Sequence, residues 1–349
     1  MGASDKIIKV LVVDDSALMR KMIGDIIQST EGMALAGAAR NGIEALELVS
    51  KLRPDVVTLD LEMPQMDGLQ ALAKMMAEQP TPTVILSAHA KEGAEATLLA
   101  LELGAVDFIT KPSGSISLDI DRVREQLVER VRVAAGVDLS KLRAKAARPA
   151  VAAGRKLRAT EEMSVVAIGS STGGTRALAE IMPRLPSELN AAYLLVQHMP
   201  LGFTKSLADR LNSRCKVSVR EAEEGNPIKR GQALLAPAGW HMKVAEDGAK
   251  VALTKDPPKH GVRPSVDVMM DSLAERSARP LVAVILTGMG HDGAKGLTAI
   301  KKKGGRTIAE DKSTCVVYGM PKSAAETGAV DEVLPLDQIP EAIVRACSR

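Results

Sequence analysis

The chain has 349 residues, which at roughly 150 residues per domain suggests two domains, and its 46 Lys and Arg against 43 Asp and Glu leave a formal net charge of +3. One Trp, two Tyr and two Phe are too few for the base-stacking platform of a single-stranded nucleic-acid binder or an aromatic cation cage, and the small charge gives no electrostatic case for DNA. Hydrophobic residues still make up 46%, so aliphatic side chains, Ala and Met must build the core.

From residue 7 to about 130, aliphatic runs alternate with helical spacing. IIKVLVV (7–13), MALAGAA (33–39), DVVTLD (55–60), TVILS (83–87) and VDFIT (106–110) predict strands. Residues 16–29, 42–52, 66–78, 92–102 and 118–133 carry apolar residues every three or four positions and predict helices. Five such units imply a parallel sheet with helices on both faces. Near-continuous Val, Ile and Leu suit strands buried on both sides. Residues 134–160 are rich in Ala, Lys and Arg without a strand pattern, and the stretch 131–161 reads as a solvated basic linker.

From 164 the alternation resumes. SVVAIGS (164–170), AYLLVQ (192–197), LVAVILT (281–287) and GRTIAE (305–310) predict parallel strands. The stretch 217–255 is richer in short strands and turns and predicts an antiparallel patch. No apolar run approaches the ~20 residues that span a bilayer. The start, MGASDKIIKV, lacks a signal-peptide pattern, and Lys6 stands where a myristoylation signal carries Ser or Thr. Cys215, Cys315 and Cys347 are far apart and odd in number, which predicts reduced thiols and a cytoplasmic protein.

In the first half, Asp14 and Asp15 follow the first predicted strand, Asp60 ends the third, Ser87 ends the fourth and Lys111 follows the fifth. Ligands of parallel α/β sheets bind at these carboxyl ends. A lone Asp after a strand is ordinarily a helix N-cap; five polar groups at matching strand ends are better read as a pocket. Three converging carboxylates are held ionised by a hard cation with oxygen ligands, Mg²⁺ above all. A lysine and a hydroxyl beside them complete a site for phosphoryl transfer onto a carboxylate.

VVDDSALMR, PDVVTLDLEMPQMDGL, VILSAHA and DFITKPS carry a resemblance. Residues 1–130 resemble the receiver domain of bacterial two-component response regulators. The resemblance implies a flavodoxin-like (βα)5 fold with Asp60 as phosphoacceptor. It implies that Asp14 and Asp15, with Asp60, hold Mg²⁺. Ser87 is the implied switch hydroxyl, Phe108 the switch aromatic and Lys111 the phosphate-contacting cation.

In the second half, Gly169-Ser170-Ser171-Thr172-Gly173 follows a predicted strand and opens a helix. It fits G-x-S-x-G, whose small flanking residues permit the sharp turn that exposes a serine hydroxyl, while the helix N-terminus offers N–H groups to an oxyanion. The base must come from five histidines. His198 ends the next predicted strand, and parallel strands lie about 4.8 Å apart, so it can reach Ser171. Asp292, in a glycine-rich loop after LVAVILT, can orient it. His291 is the rival base; His89, His241, His260 and His291 otherwise read as structural or solvated.

A dehydrogenase reading of GSSTGG, with Tyr318 and Lys322 as its pair, fails because Gly319 and Pro321 spoil the helix that would align them. The chain order Ser, His, Asp also differs from that of α/β-hydrolases.

AIGSSTGGTRAL, VQHMPLGFTKSLADRLN, LLAPAGWHM, RPSVDVMMDSLA, ILTGMGHDGAKGL and AEDKSTCVVYGMPKSA carry a second resemblance. Residues 162–349 resemble the catalytic domain of chemotaxis protein-glutamate methylesterases, which implies a Rossmann-like, doubly wound, mostly parallel sheet. It implies Ser171 as nucleophile, His198 as general base and Asp292 as its orienting carboxylate, with Thr172 and Met289 as oxyanion contacts. No cofactor is expected in this half.

Ser170 and His291 stand where the family often has Ala and Asn. The implied substrates are glutamate methyl esters, and glutamines for deamidation, on the cytoplasmic helices of chemoreceptors. The implied phosphodonor is a chemotaxis histidine kinase. A monomer recruited to receptor arrays, binding no nucleic acid directly and not inserting into the membrane, is expected. The unphosphorylated receiver is expected to cover the active-site face, so that its removal raises basal activity. A DNA-binding regulator would need a basic recognition helix where the serine turn stands. A catalytically dead scaffold is disfavoured because all three triad positions are filled.

Overall fold

The computed structural model describes residues 7–87, 91–111, 120–142 and 162–348. It divides into two compact units, Met1–Arg143 and Ala144–Arg349. His89 and most of the linker stretch lie outside the described residues.

In the first unit, β1 (Ile8–Val13), β2 (Met33–Ala39), β3 (Val56–Asp60), β4 (Thr83–Ser87) and β5 (Asp107–Thr110) form one parallel sheet in the order β2-β1-β3-β4-β5. This is the flavodoxin-like arrangement. Each strand is followed by a helix: α1 (Ala17–Gln28), α2 (Gly42–Leu52), α3 (Gly68–Glu78), α4 (Lys91–Leu103) and α5 (Ile120–Ala135). Ser16, Asn41 and Asp67 cap the first three by accepting from the N–H groups of Met19, Glu44 and Gln70. The chain leaves β1 for β2 and returns to β3 on the other side, so the switch point lies between the carboxyl ends of β1 and β3. The last turn of α5, to Ala135, and a 3-10 turn, Leu139–Leu142, fall within the stretch read as linker. Val131 and Ala134 are buried there, which gives the helix an apolar face to pack.

The second unit contains, in chain order, β6 (Ser164–Ser170), α6 (Gly174–Ile181), β7 (Ala191–Gln197), α7 (Thr204–Asn212), β8 (Ser218–Glu221), β9 (Gln232–Leu235), β10 (His241–Val244), β11 (Val251–Thr254), α8 (Val266–Arg276), β12 (Leu281–Ile285), α9 (Ala294–Lys302), β13 (Arg306–Glu310), α10 (Met320–Glu326), β14 (Glu332–Leu334) and α11 (Ile339–Cys347). Seven strands form a parallel sheet, β14-β13-β12-β6-β7-β9-β8. The chain winds outward from β6 in both directions, so the doubly wound switch point lies between β6 and β12.

The antiparallel patch predicted in 217–255 is present as the β10–β11 pair, but the rest of the stretch pairs differently. β8 and β9 extend the main sheet in parallel, with β8 at its edge, while β10 and β11 pair antiparallel. Four-residue strands carry too little periodicity to reveal their direction. Where LVAVILT predicts a strand to 287, β12 ends at Ile285, because the Thr287 N–H turns to Glu310 Oε2 at 2.7 Å.

The core is aliphatic and thioether, with Met242, Met269, Met270 and Met320 buried among Val, Leu, Ile and Ala. Helix α8 lies close on β6. A Cβ at Gly169 would stand 2.4 Å from Val266 Cγ1, so only glycine permits that approach.

Candidate phosphoacceptor pocket and candidate active site

At the β1–β3 switch point the Lys111 Nζ lies 2.9 Å from Asp14 Oδ2 and 2.7 Å from Asp60 Oδ2. Asp14 and Asp60 are buried and Asp15 is exposed, yet the three carboxylates place oxygen atoms within 4.8 Å of one another. Asp14 is aimed by the Ser16 N–H, which donates to its Oδ1 at 2.9 Å. Burial pushes the Asp60 carboxyl above its ordinary value against the pull of the Lys111 ammonium, and the Asp14 charge adds to the rise. Burial alone would lower Lys111, but its bonds to Asp60 and Asp14 win and raise it, so it stays charged.

Ser87, at the end of β4, has its Oγ 2.6 Å from Thr97 Oγ1. Phe108 is buried on β5. After Asp60 the chain doubles back so tightly that a Cβ at Gly68 would lie 2.1 Å from Asp60 O, which explains the glycine of the MPQMDG turn.

In the second unit, Ser171, His198 and Asp292 follow β6, β7 and β12, three neighbouring strands. Ser170 pairs with Gln197 in the β6–β7 register, and the His198 N–H donates to Ser170 O at 3.0 Å. The strand ends thus bring Ser171 and His198 side by side, although among the described residues no hydrogen bond joins their side chains. His198 Nε2 is 2.9 Å from Asp292 Oδ2, which leaves Nδ1 as the nitrogen able to take a proton.

Asp292 sits in a cradle. Its Oδ1 accepts from Ser265 Oγ (2.8 Å) and the Asp267 N–H (3.0 Å), and its Oδ2 accepts from the Val266 N–H (2.7 Å). These are the N-cap and first residues of α8, so the helix dipole also favours the anion. Burial alone would raise Asp292; the His198 bond and charge, the Asp267 N–H and the Ser265 hydroxyl outweigh it and hold the carboxyl at about 2.

Thr172 and Met289 supply N–H groups whose directions are set by the peptide behind each, since C=O and N–H point oppositely across a trans peptide. The Ser171 carbonyl, opposite the Thr172 N–H, accepts from Gln197 Nε2 at 2.9 Å and the Gly174 N–H at 2.8 Å. The Gly288 carbonyl, opposite the Met289 N–H, accepts from the Gly319 and Met320 N–H groups at 3.0 and 2.8 Å. The loops meet at Ser171, where a Cβ on Gly288 would stand 2.8 Å from Ser171 Cβ. Ser170 Oγ donates to Gln197 Oε1 at 2.7 Å and so orients that amide.

Sequence reasoning missed Gln197, Ser265, Asp267 and Glu310. Ser265 carried a readable signal, an N-cap residue just before the apolar run VDVMM. The others act across sequence separations that no local pattern records. The rival base His291 is exposed and bonds to His260 instead of the triad, its Nε2 lying 3.0 Å from His260 Nδ1.

Together the units define a class: a receiver-type α/β unit followed by a doubly wound α/β unit bearing Ser, His and Asp at three neighbouring strand ends. Residues 166–343 match the family model described as CheB methylesterase, and residues 10–120 match that of the response regulator receiver domain. A protein of Symbiobacterium thermophilum named protein-glutamate methylesterase/protein-glutamine glutaminase is 51% identical over 351 residues, covering 97% of each chain. One of Pyrococcus abyssi with the same name is 49% identical, covering 99% of this chain and 95% of that one. The crystal structure of the Thermotoga maritima CheB methylesterase catalytic domain superposes with a TM-score of 0.51 at 49% identity, over 52% of this chain and 98% of that one. The chain belongs to the CheB methylesterase family and carries a response regulator receiver domain N-terminal to the esterase domain. Among the described residues no helix is long and apolar enough to cross a membrane.

Proposed function

We propose that the protein is a phosphorylation-activated serine esterase that hydrolyses glutamate methyl esters on chemoreceptor helices and deamidates receptor glutamines by the same acyl chemistry. The observation that carries this reading is the Asp292–His198 pair at 2.9 Å, held at the strand end beside Ser171. Ser171 Oγ attacks the ester carbonyl while His198 Nδ1 takes its proton. Asp292, ionised throughout the neutral range, fixes the ring and stabilises the imidazolium. The carbonyl oxygen becomes an oxyanion that accepts from the Thr172 and Met289 N–H groups. His198 returns the proton to the departing methoxide, and methanol leaves. Water, deprotonated by His198, then cleaves the acyl-enzyme to free glutamate. With glutamine the leaving group is ammonia.

The relatives' names support the substrate class, and the receiver domain supports a kinase as phosphodonor. The expected bounds 1–130, 131–161 and 162–349 are kept, except that α5 carries the first domain on to Ala135. In the first domain Asp60 accepts the phosphoryl group, Lys111 contacts its oxygens, and Ser87 and Phe108 respond to it. The donor set of Asp14, Asp15 and Asp60 is all hard carboxylate oxygen and fits Mg²⁺. When bound there, Mg²⁺ offsets the charge of the transferring phosphoryl group.

A fluorophosphonate probe tests the serine assignment. One equivalent should attach, at Ser171, and Ser171→Ala and His198→Gln should both escape labelling. Labelling of Ser171→Ala at the wild-type rate would remove Ser171 from its role.

A further inference from the structure

A second histidine–carboxylate pair lies beside the triad, and its side chains have no part in the proposed esterase chemistry. His260, in the loop between β11 and α8, places Nε2 2.9 Å from Asp267 Oδ2. Its Nδ1 faces His291 Nε2 at 3.0 Å, with the rings edge to face and their centroids 4.5 Å apart. Both histidines reach the surface, and Asp267 is buried. His260 is held at φ +55°, a left-handed conformation uncommon outside glycine.

His260, Asp267 and Asp292 have donor atoms within 4.8 Å of one another, but the carboxylates are already occupied. Asp267 Oδ1 accepts from the Gly293 and Gly296 N–H groups at 3.0 and 2.7 Å, and its Oδ2 faces His260. Asp292 is filled by Ser265, Val266, Asp267 and His198. The two imidazoles are different. Asp267 accepts the Nε2 proton of His260, which fixes the tautomer and leaves Nδ1 of His260 as a lone-pair nitrogen. His291 Nε2 becomes its equal once the proton moves to Nδ1 of that ring. Two nitrogens bound to one zinc ion at about 2.0–2.1 Å lie roughly 3 Å apart, or slightly more, which is close to the separation already present. A carboxylate behind a metal-binding histidine is the usual partner of such ligands. The neighbouring cation Lys259 is neutralised by Asp271 at 3.1 Å.

We propose that His260 Nδ1 and His291 Nε2 form a two-histidine site for a transition-metal dication of the zinc class, with Asp267 orienting His260 and water completing the coordination. Imidazole nitrogen selects such ions over Mg²⁺. An ion there ties the Gly288–Gly293 loop, which carries Met289 and Asp292, to the loop that leads into α8.

The test is titration of the full-length protein with Zn²⁺ against a chromophoric chelator, in excess Mg²⁺ so that the acidic pocket of the first domain is filled. Wild type should bind one equivalent at this site, and Zn²⁺ should raise its melting temperature. His291→Asn removes a ligand and should weaken binding at least tenfold. Asp267→Asn keeps an oxygen for the Gly293 and Gly296 N–H groups but turns an amide N–H toward His260, reversing the tautomer. It should cost about 10- to 100-fold in affinity. Melting curves without metal establish that each variant is folded. No binding by wild type, or wild-type affinity in folded His291→Asn, would overturn the site.

Discussion

Gln197 is held on three sides: its Oε1 accepts from Ser170 Oγ, and its Nε2 donates to Ser171 O and His198 O, each at 2.9 Å. It touches no reacting atom in the proposed mechanism, but it fixes the peptide that aims the Thr172 N–H. Gln197→Ala should therefore lower kcat roughly 10- to 100-fold, less than loss of a direct oxyanion donor, while KM stays near wild type. Unchanged kcat would show that the Gly174 N–H suffices to hold that peptide. Ser170 thus has a defined partner, one that its sequence context did not indicate.

Glu310 is fully buried behind the same loop, accepting from the Thr287 N–H and Thr314 Oγ1. Burial pushes its carboxyl up to about 7 from an ordinary 4.5. The folded state therefore keeps this proton at pH values where the unfolded chain has lost it. Its stabilising contribution is complete below pH 4.5 and disappears as the pH rises through 7. Urea midpoints of the esterase domain should fall between pH 5 and 8, and Glu310→Gln should flatten that slope. An unchanged slope in the variant would assign the pH dependence to another group. The positions of Ser171, His198 and Asp292 were legible because each follows a strand whose aliphatic run is unmistakable. Gln197 and Glu310 were not, since strand-end polar residues look alike until their partners are known.

Helix α8 does two jobs: its side chains fill the core through Val266, Met269, Met270 and Leu273, and its first N–H groups hold Asp292. Its closeness to β6 depends on Gly169. Gly169→Ala should force the helix outward and destabilise the domain by about 1–3 kcal/mol, as overpacking does. Since the displaced end is the cradle of Asp292, kcat should fall as well, which calorimetry and steady-state assays would register together. A loss of stability with full kcat would mean that the cradle moves with its carboxylate. The long strands were legible from sequence because burial on both faces gives uninterrupted Val, Ile and Leu. β14 escaped because Glu332–Leu334 is a short edge strand without a buried residue. β8 and β9 carried no sign of their direction.

At the scale of the molecule, two α/β units put different chemistry at the same place in the fold, the switch point of a parallel sheet. One places three carboxylates and a lysine there; the other places a serine, a histidine and a carboxylate. That the chain contains two such units was readable from the recurrence of strand–helix spacing on either side of a basic, Ala-rich stretch. No local pattern of residues records how phosphorylation of one unit would act on the other; that expectation came from the resemblance alone. If phosphorylation of Asp60 releases the esterase, Asp60→Asn should retain basal activity and lose its response to a phosphodonor.

Methanol release from methylated receptor membranes tests the whole account most directly, measured for wild type, Asp60→Asn and Ser171→Ala with and without a small-molecule phosphodonor and Mg²⁺. Wild type should release methanol faster with the phosphodonor, Asp60→Asn should release it at the basal rate under both conditions, and Ser171→Ala should release none. Methanol release by Ser171→Ala at the wild-type rate would contradict it.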